Sequence, residues 1–303
     1  MKARTLFSRF VGRIRRRGLL DTLGAAWNIA LGLADYHLNP LALKESKVLP
    51  RDWAEIRAEM EERGLDVAPY RINVANFRDW LNQAAFPDYY VQSYGDVFIE
   101  KALEHYVSTD LLELKPGKVF IDVAASSSPW LNIAPRLYGV MALALDLNPP
   151  TASVLGYKIV SDATHMPFPD NSVDGLALHC AYETFEGNAD SRLIPEAARV
   201  LRRGGRMVIL PLYMHHLYYA DSSPGADRRG LDYQGAKRVW REERNGRVGF
   251  GGVRFSRKYD VPAFLERVVR FKGSLRLTIC YIENETEVDP NCYLKFAAVF
   301  EKV

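Results

Sequence analysis

The chain has 303 residues, enough for a sizeable core with attached pieces, and its 48% hydrophobic and 25% charged residues are ordinary for a soluble globular protein. Its net charge of +3 hides an asymmetry: the first twenty residues hold seven basic side chains and no acid, so the rest carries a net −4 (+3 minus seven). A mildly acidic body excludes wholesale nucleic-acid binding, which needs a basic face to meet phosphates. The three cysteines, Cys180, Cys280 and Cys292, are odd in number and form no CxxC pair, which excludes a disulfide framework and a zinc cluster and fits a reducing, cytoplasmic compartment.

In chain order, residues 1–20 read as a basic amphipathic helix, with Leu6, Phe7, Phe10, Val11 and Ile14 at helical spacing. Such a segment suits an anionic membrane surface, so peripheral contact with the inner face of a membrane is expected through residues 1–20; a solvated terminus or a helix docked on the body is the plain alternative. The stretch 19–34 is broken by Asp21, Thr22 and Asn28 and is too short to span a bilayer. Helices follow over 50–63, closed by Gly64, then over 74–83 and 96–107.

From Lys118 the texture changes to apolar strands alternating with helices, the pattern of a parallel sheet with crossover helices. Strands are expected over 118–123, 140–147, 157–161, 173–180 and 206–212, with a helix over 190–201 closed by Gly204-Gly205. The interval 213–255 has no clear run except near 237–243 and reads as a long functional loop. A helix over 256–270 and two strands over 275–284 and 293–301, an antiparallel pair at the sheet edge, complete the chain.

Open α/β sheets bind ligands outside the carboxyl ends of their strands, so the residues where each apolar run stops are the candidates. The first run ends in Asp122 followed only by small residues, and small side chains let the backbone approach a ligand closely. The second ends in Asp146, placed to hold the two hydroxyls of an adenosine ribose. The third ends in Asp162-Ala163, where a carboxylate accepts from the adenine amino group and the Ala163 amide donates to a ring nitrogen.

With these elements in this order, the chain resembles the class I S-adenosylmethionine-dependent methyltransferases, in the small-molecule group that carries a methyltransferase domain. The resemblance covers about residues 95–213 well and the last two strands more loosely. It implies an α/β fold: a Rossmann-like sandwich with a mostly parallel seven-stranded sheet, an antiparallel edge strand and an N-terminal helical segment. The domains implied are a helical extension over 1–94 and a core over 95–303 with a substrate-cap insertion at about 214–255. By position, the family's acid-x-Gly-x-Gly-x-Gly loop falls on Asp122, Ala124, Ser126 and Ser128, its ribose acid on Asp146, and its adenine-binding pair on Asp162 and Ala163. The tyrosines Tyr89, Tyr90 and Tyr94 fall where related enzymes fold over the cofactor, which makes Tyr94 a candidate contact for the sulfonium. All three family glycines are replaced here by Ala or Ser.

Methyl transfer needs the acceptor atom in line with the sulfonium methyl, and a hydroxyl acceptor gains from a general base. The fourth strand ends at His179 with Glu183 just beyond, and His215 follows the fifth, so these three are the catalytic candidates; hydrogen-bonded structural histidines are the plain alternative. The spacing of His179, Glu183, His215 and His216 is not a recognised metal-ligand pattern. The Tyr, Arg and Asp residues after the fifth strand suit a sugar or another polyhydroxylated acceptor. The expected function is therefore O-methylation of a small or glycan-like acceptor. The missing glycines motivate a second reading, a non-catalytic scaffold or binding protein that has lost the cofactor. No GxGxxG follows the first strand, which sets aside a nicotinamide-dependent oxidoreductase.

Overall fold

The alternating texture from Lys118 onward folds into one sheet that recruits an additional strand from upstream. In a computed structural model that describes residues 14, 18–125, 128–148, 158–242 and 252–303, the strands in chain order are β1 (Val67–Tyr70), β2 (Val119–Val123), β3 (Met141–Asp146), β4 (Lys158–Val160), β5 (Val173–His179) and β6 (Leu201–Leu210). They continue with β7 (Tyr219–Ser222), β8 (Lys237–Trp240), β9 (Ser256–Lys258), β10 (Leu275–Ile282) and β11 (Phe296–Lys302). Eight of them form the main sheet in the order β1-β10-β11-β6-β5-β2-β3-β4. The segment read as a basic helix over 1–20 lies almost wholly outside the described residues.

The chain divides into two compact units, residues 51–217 with 259–303, and residues 1–50 with 218–258. The larger holds the eight-stranded sheet. Phe120, Ile121 and Val123 of β2 and Leu176, Ala177 and Leu178 of β5 are fully buried, because parallel strands covered on both faces have no solvent side. β2 pairs in parallel with β3 on one side and β5 on the other, so the chain runs outward through β3 and β4 and then returns across β2. That reversal is the topological switch point, and it places a ligand crevice at the carboxyl ends of β2 and its neighbours.

At the far side the antiparallel strand β11 lies between β6 and β10, and β1 pairs in parallel with β10 through Val67↔Ile279 to Tyr70↔Ile282. The sheet thus has eight strands where seven were expected, and residues 51–94 cluster with it. The helix Trp53–Glu62 is capped by Asp52, whose carboxylate accepts from the Ala54 and Glu55 amides, and Val74–Ala84 by Asn73. The expected helix end at Gly204-Gly205 is a strand irregularity instead. The helix stops at Val200, β6 begins at once, and its pairing with β5 jumps from Val173↔Leu201 to Gly175↔Arg206. Gly204 adopts φ +75°, and a Cβ at Gly205 would meet the Arg202 carbonyl oxygen at 2.9 Å, so the bulge needs both glycines.

The smaller unit holds the helix Leu19–Leu38 and a three-stranded sheet in the order β8-β7-β9. The interval read as a long loop therefore contains strands. They are only three or four residues long and carry charge, and Asp221 of β7 is buried against Lys258 of β9. The expected helix over 256–270 is split for the same reason. Ser256–Lys258 pairs with β7, and a helix starts only at Val261, capped by the Asp260 side chain through the Ala263 amide.

In the larger unit the ion pair of Asp190 with Arg267 is buried deeply enough to matter for stability. Asp190 is fully buried and accepts from Arg267 Nη2 at 2.7 Å, from Arg267 Nε at 3.0 Å and from the Tyr259 hydroxyl at 2.7 Å. Removing the cation strands a buried carboxylate. Arg267→Ala is expected to destabilise the protein by about 3 kcal/mol, read as a lower urea midpoint with an unchanged slope; a midpoint shift near zero would contradict this reading.

Candidate functional site

At the carboxyl end of β2 the backbone turns sharply, with Ala124 in the left-handed region at φ +56° and its amide donating to the Leu145 carbonyl at 2.7 Å. The turn opens a cleft of about 440 Å³ lined by Ala124, Asp146, Asn148, Asp162, Ala163 and Phe185, among others. Four residues predicted from the sequence, Ala124, Asp146, Asp162 and Ala163, therefore meet in one cavity. Asp146 Oδ1 accepts from the Asn148 amide at 2.8 Å and Asp162 Oδ1 from the Thr164 amide at 2.8 Å, which fixes both carboxylates at the strand ends. Phe185 and Glu186, from the turn after β5, were not anticipated. They lie two and three residues beyond the strand-end segment His179–Glu183, and that proximity was the available signal.

The remaining loop candidates stand elsewhere. Ser126 lies outside the described residues. Ser128 Oγ accepts from the Trp130 amide at 3.2 Å, at the start of the helix Trp130–Tyr138. Tyr94 ends the helix Asp88–Tyr94, with its ring 4.8 Å from that of Tyr90, and is not among the cleft-lining residues.

Asp122 faces the opposite way, into the protein. Its carboxylate is 1% exposed and meets His179 Nδ1 at 2.9 Å, while His179 Nε2 lies 2.8 Å from the Ser108 hydroxyl. Ser108 comes from the helix Phe98–Leu111, which extends four residues beyond its expected end. His105, on the same helix, stacks on Trp130 at 4.7 Å and lies 4.1 Å from the His179 ring, with its Nε2 3.3 Å from the Tyr90 hydroxyl. Burial, with His179 adding to it, holds His105 well below the usual histidine range.

Beside this line lies a second polar group. Lys101 Nζ donates to Glu104 at 2.7 Å and to the Tyr293 hydroxyl at 2.6 Å. Burial pushes Glu104 up to about 8 against the pull of Lys101, while desolvation of Lys101 is outweighed by Glu104, Cys180 and Tyr293 together, which hold it above the usual lysine range. At the end of β5, Cys180 takes a left-handed φ of +48°, and its thiol meets Glu183 at 3.3 Å and the Tyr213 hydroxyl at 3.5 Å. Burial first, then the Glu183 charge, pushes that thiol up to about 12.

Both later histidines are engaged away from the cleft. The buried His215 accepts at Nδ1 from the Leu217 amide at 3.0 Å, and His216 Nε2 accepts from the Asp52 amide at 3.1 Å. Among the described residues, no group of three or more His, Cys, Asp or Glu side chains is arranged to hold a metal ion.

Fold and cleft together define a Rossmann-like α/β domain with a crevice at the switch point, where such sheets take their ligands. Residues 121–209 match the family described as "Methyltransferase domain". The cofactor that goes with this domain is S-adenosylmethionine. No curated protein matches the chain. Among solved structures it is similar to the YcgJ protein of Bacillus subtilis, with 20% identity over 40% of this chain and 53% of that one and a TM-score of 0.32. It is also similar to the 1,6-didemethyltoxoflavin-N1-methyltransferase of Burkholderia thailandensis, solved with S-adenosylhomocysteine, at 13% identity over 75% and 87% with a TM-score of 0.45. The corresponding figures for phosphoethanolamine N-methyltransferase 2 of Haemonchus contortus, in complex with S-adenosyl-L-methionine, are 19%, 48%, 36% and 0.35. The chain spans about half the length of the first of these.

The depressed His105 carries a pH dependence whose sign is fixed. Unfolded, the imidazole takes up a proton near its usual value of about 6.5; folded, it does so only at much lower pH, so the unfolded state gains protons first. Stability from this residue is complete above that value and is lost as pH falls below it, by about 1.4 kcal/mol per unit. Urea unfolding of the wild type and of His105→Phe between pH 7 and 5 should show a shallower decline for the variant; parallel declines would refute the assignment.

Proposed function

We propose that the protein is an S-adenosylmethionine-dependent methyltransferase that methylates a hydroxyl of a small or glycan-like acceptor. The observation that carries the cofactor half is the convergence of Ala124, Asp146, Asp162 and Ala163 on one cleft at the switch point. Asp146 would hold the ribose hydroxyls, and Asp162 with the Ala163 amide would hold the adenine edge. The cofactor supplies an electrophilic methyl group; the protein's own part is to bind, orient and exclude water.

At Ala124 the replaced glycine does not weigh against this. Ala124 already adopts the left-handed turn for which a glycine is usually kept, at a cost on the order of 1 kcal/mol. The backbone course at that position is therefore retained without the glycine.

For the acceptor half, Glu183 is the candidate that the geometry favours as general base. Its carboxylate sits at the end of β5, and the next residues, Thr184 and Phe185, line the cleft. His179 is held between Asp122 and Ser108, which suits a positioning residue better than a base that must exchange protons with a substrate. His215 has one ring nitrogen committed to the Leu217 amide. A carboxylate base and neighbouring tyrosine hydroxyls suit a neutral alcohol.

Two measurements test the reading. Calorimetric titration with S-adenosylhomocysteine should give micromolar binding, weakened at least tenfold in Asp146→Ala. Equal affinity in the variant would remove the ribose assignment, and no binding up to millimolar product would leave the scaffold reading standing. With labelled cofactor and a panel of polyhydroxylated and amine acceptors, turnover should favour hydroxyls, and Glu183→Gln should lower kcat at least a hundredfold with cofactor affinity unchanged. Turnover confined to amines would overturn the oxygen assignment.

A further inference from the structure

The helix Leu19–Leu38 is amphipathic in the inverted sense. Its buried residues are Thr22, Ala25 and Gly32, small or polar, whereas every exposed residue except His37 is apolar. Leu20 is 85% exposed, Trp27 66% and Leu31 50%, and with Leu23 and Leu38 they form one stripe at helical spacing. A helix that only completed a core would turn this stripe inward. The inner side instead receives arginines. A Cβ at Gly32 would meet Arg228 at 2.2 Å and the Pro224 carbonyl oxygen at 2.6 Å, so the glycine keeps the approach close.

The helix's two acids are also committed to that inner side. Asp21 accepts from Arg229 at 3.1 Å, and Asp35 from Arg238 at 2.7 Å and from the Trp240 indole at 3.1 Å. The outward face is left with no acid at all. Immediately before it in sequence come Arg13, Arg15, Arg16 and Arg17, four of the seven basic residues among the first twenty, again with no acid. No helix among the described residues is long and apolar enough to cross a membrane, so the stripe has no spanning role.

We propose that this face docks on an anionic lipid bilayer, with the leucines and Trp27 seated at the headgroup boundary and the adjoining arginines meeting the lipid phosphates. A bilayer offers both an apolar layer and counter-charge, and tryptophan favours that boundary because its ring is apolar at one end and a donor at the other. A second copy of the chain offers the apolar surface alone, since the stripe carries no acid to receive the basic run. Contiguous exposed apolar faces on soluble proteins mark interaction sites, and the sign of the neighbouring charge selects among partners. This inference concerns residues 18–38 and their flank and does not depend on methyl transfer.

The test is vesicle flotation of the full-length chain with phosphatidylcholine vesicles, with and without phosphatidylglycerol. Binding at least tenfold stronger to the anionic vesicles, weakened by salt, is expected. Leu23→Glu/Leu31→Glu should reduce it at least tenfold with the thermal unfolding midpoint unchanged, because both side chains are exposed; Trp27→Ala gives an independent loss without added charge. Equal binding to neutral vesicles, no binding to either, or binding untouched by both variants would overturn the proposal. Micromolar self-association that the double variant abolishes, without vesicle binding, would assign the face to a second copy instead.

Discussion

A carboxylate buried in the middle of a parallel sheet is a constraint that the neighbouring elements must satisfy together. Asp122 has almost no access to water, and an unpaired charge there would cost several kcal/mol. His179 from the adjacent strand meets it, and Ser108 from the helix above meets the other side of that imidazole. Three elements are thus tied at one point: β2, β5 and the helix Phe98–Leu111. The tie sets where β2 ends and where β5 ends, and the cleft lies just outside both. Oxygen Oδ2 of Asp122 has no hydrogen-bond partner among the described residues, so the side-chain hold on this carboxylate comes through Oδ1 and His179.

With the strand ends fixed, the cleft-lining residues need little further support. Asp146 and Asp162 are each anchored by a backbone amide two residues on, a local turn that the strand end itself provides. Ala124 is oriented by the Leu145 carbonyl on the neighbouring strand. The second polar group is built differently, from side chains on separate elements: Lys101, Glu104, Cys180, Glu183, Tyr213 and Tyr293. Its polar groups are largely desolvated, which strengthens every electrostatic contact they make.

The sheet from β2 to β6 and the acids at its strand ends were legible in the sequence, because buried parallel strands are continuous apolar runs and a charge at their end stands out. β1 was not. It has four residues, one of them Pro69, and proline is tolerated there because β1 is an edge strand. The β7-β8-β9 sheet escaped for a related reason: short strands carrying Asp221, Arg238, Arg257 and Lys258 look like a polar loop until their partners are known. His179 was legible as a residue of interest, but its role was not. Its two partners lie 57 and 71 positions away, and nothing local to the strand announces either.

The left-handed turn at Cys180 has a bearing on chemical selectivity. A thiolate is a far better nucleophile toward an activated methyl group than any alcohol, so an exposed thiolate would divert the group onto the protein itself. Burial and the Glu183 charge keep Cys180 protonated, and burial raises Cys280 as well, to about 11, so neither is a thiolate at neutral pH. The carboxylate proposed to draw a proton from an alcohol thereby keeps the nearest sulfur silent, which would guard the chain against methylating itself.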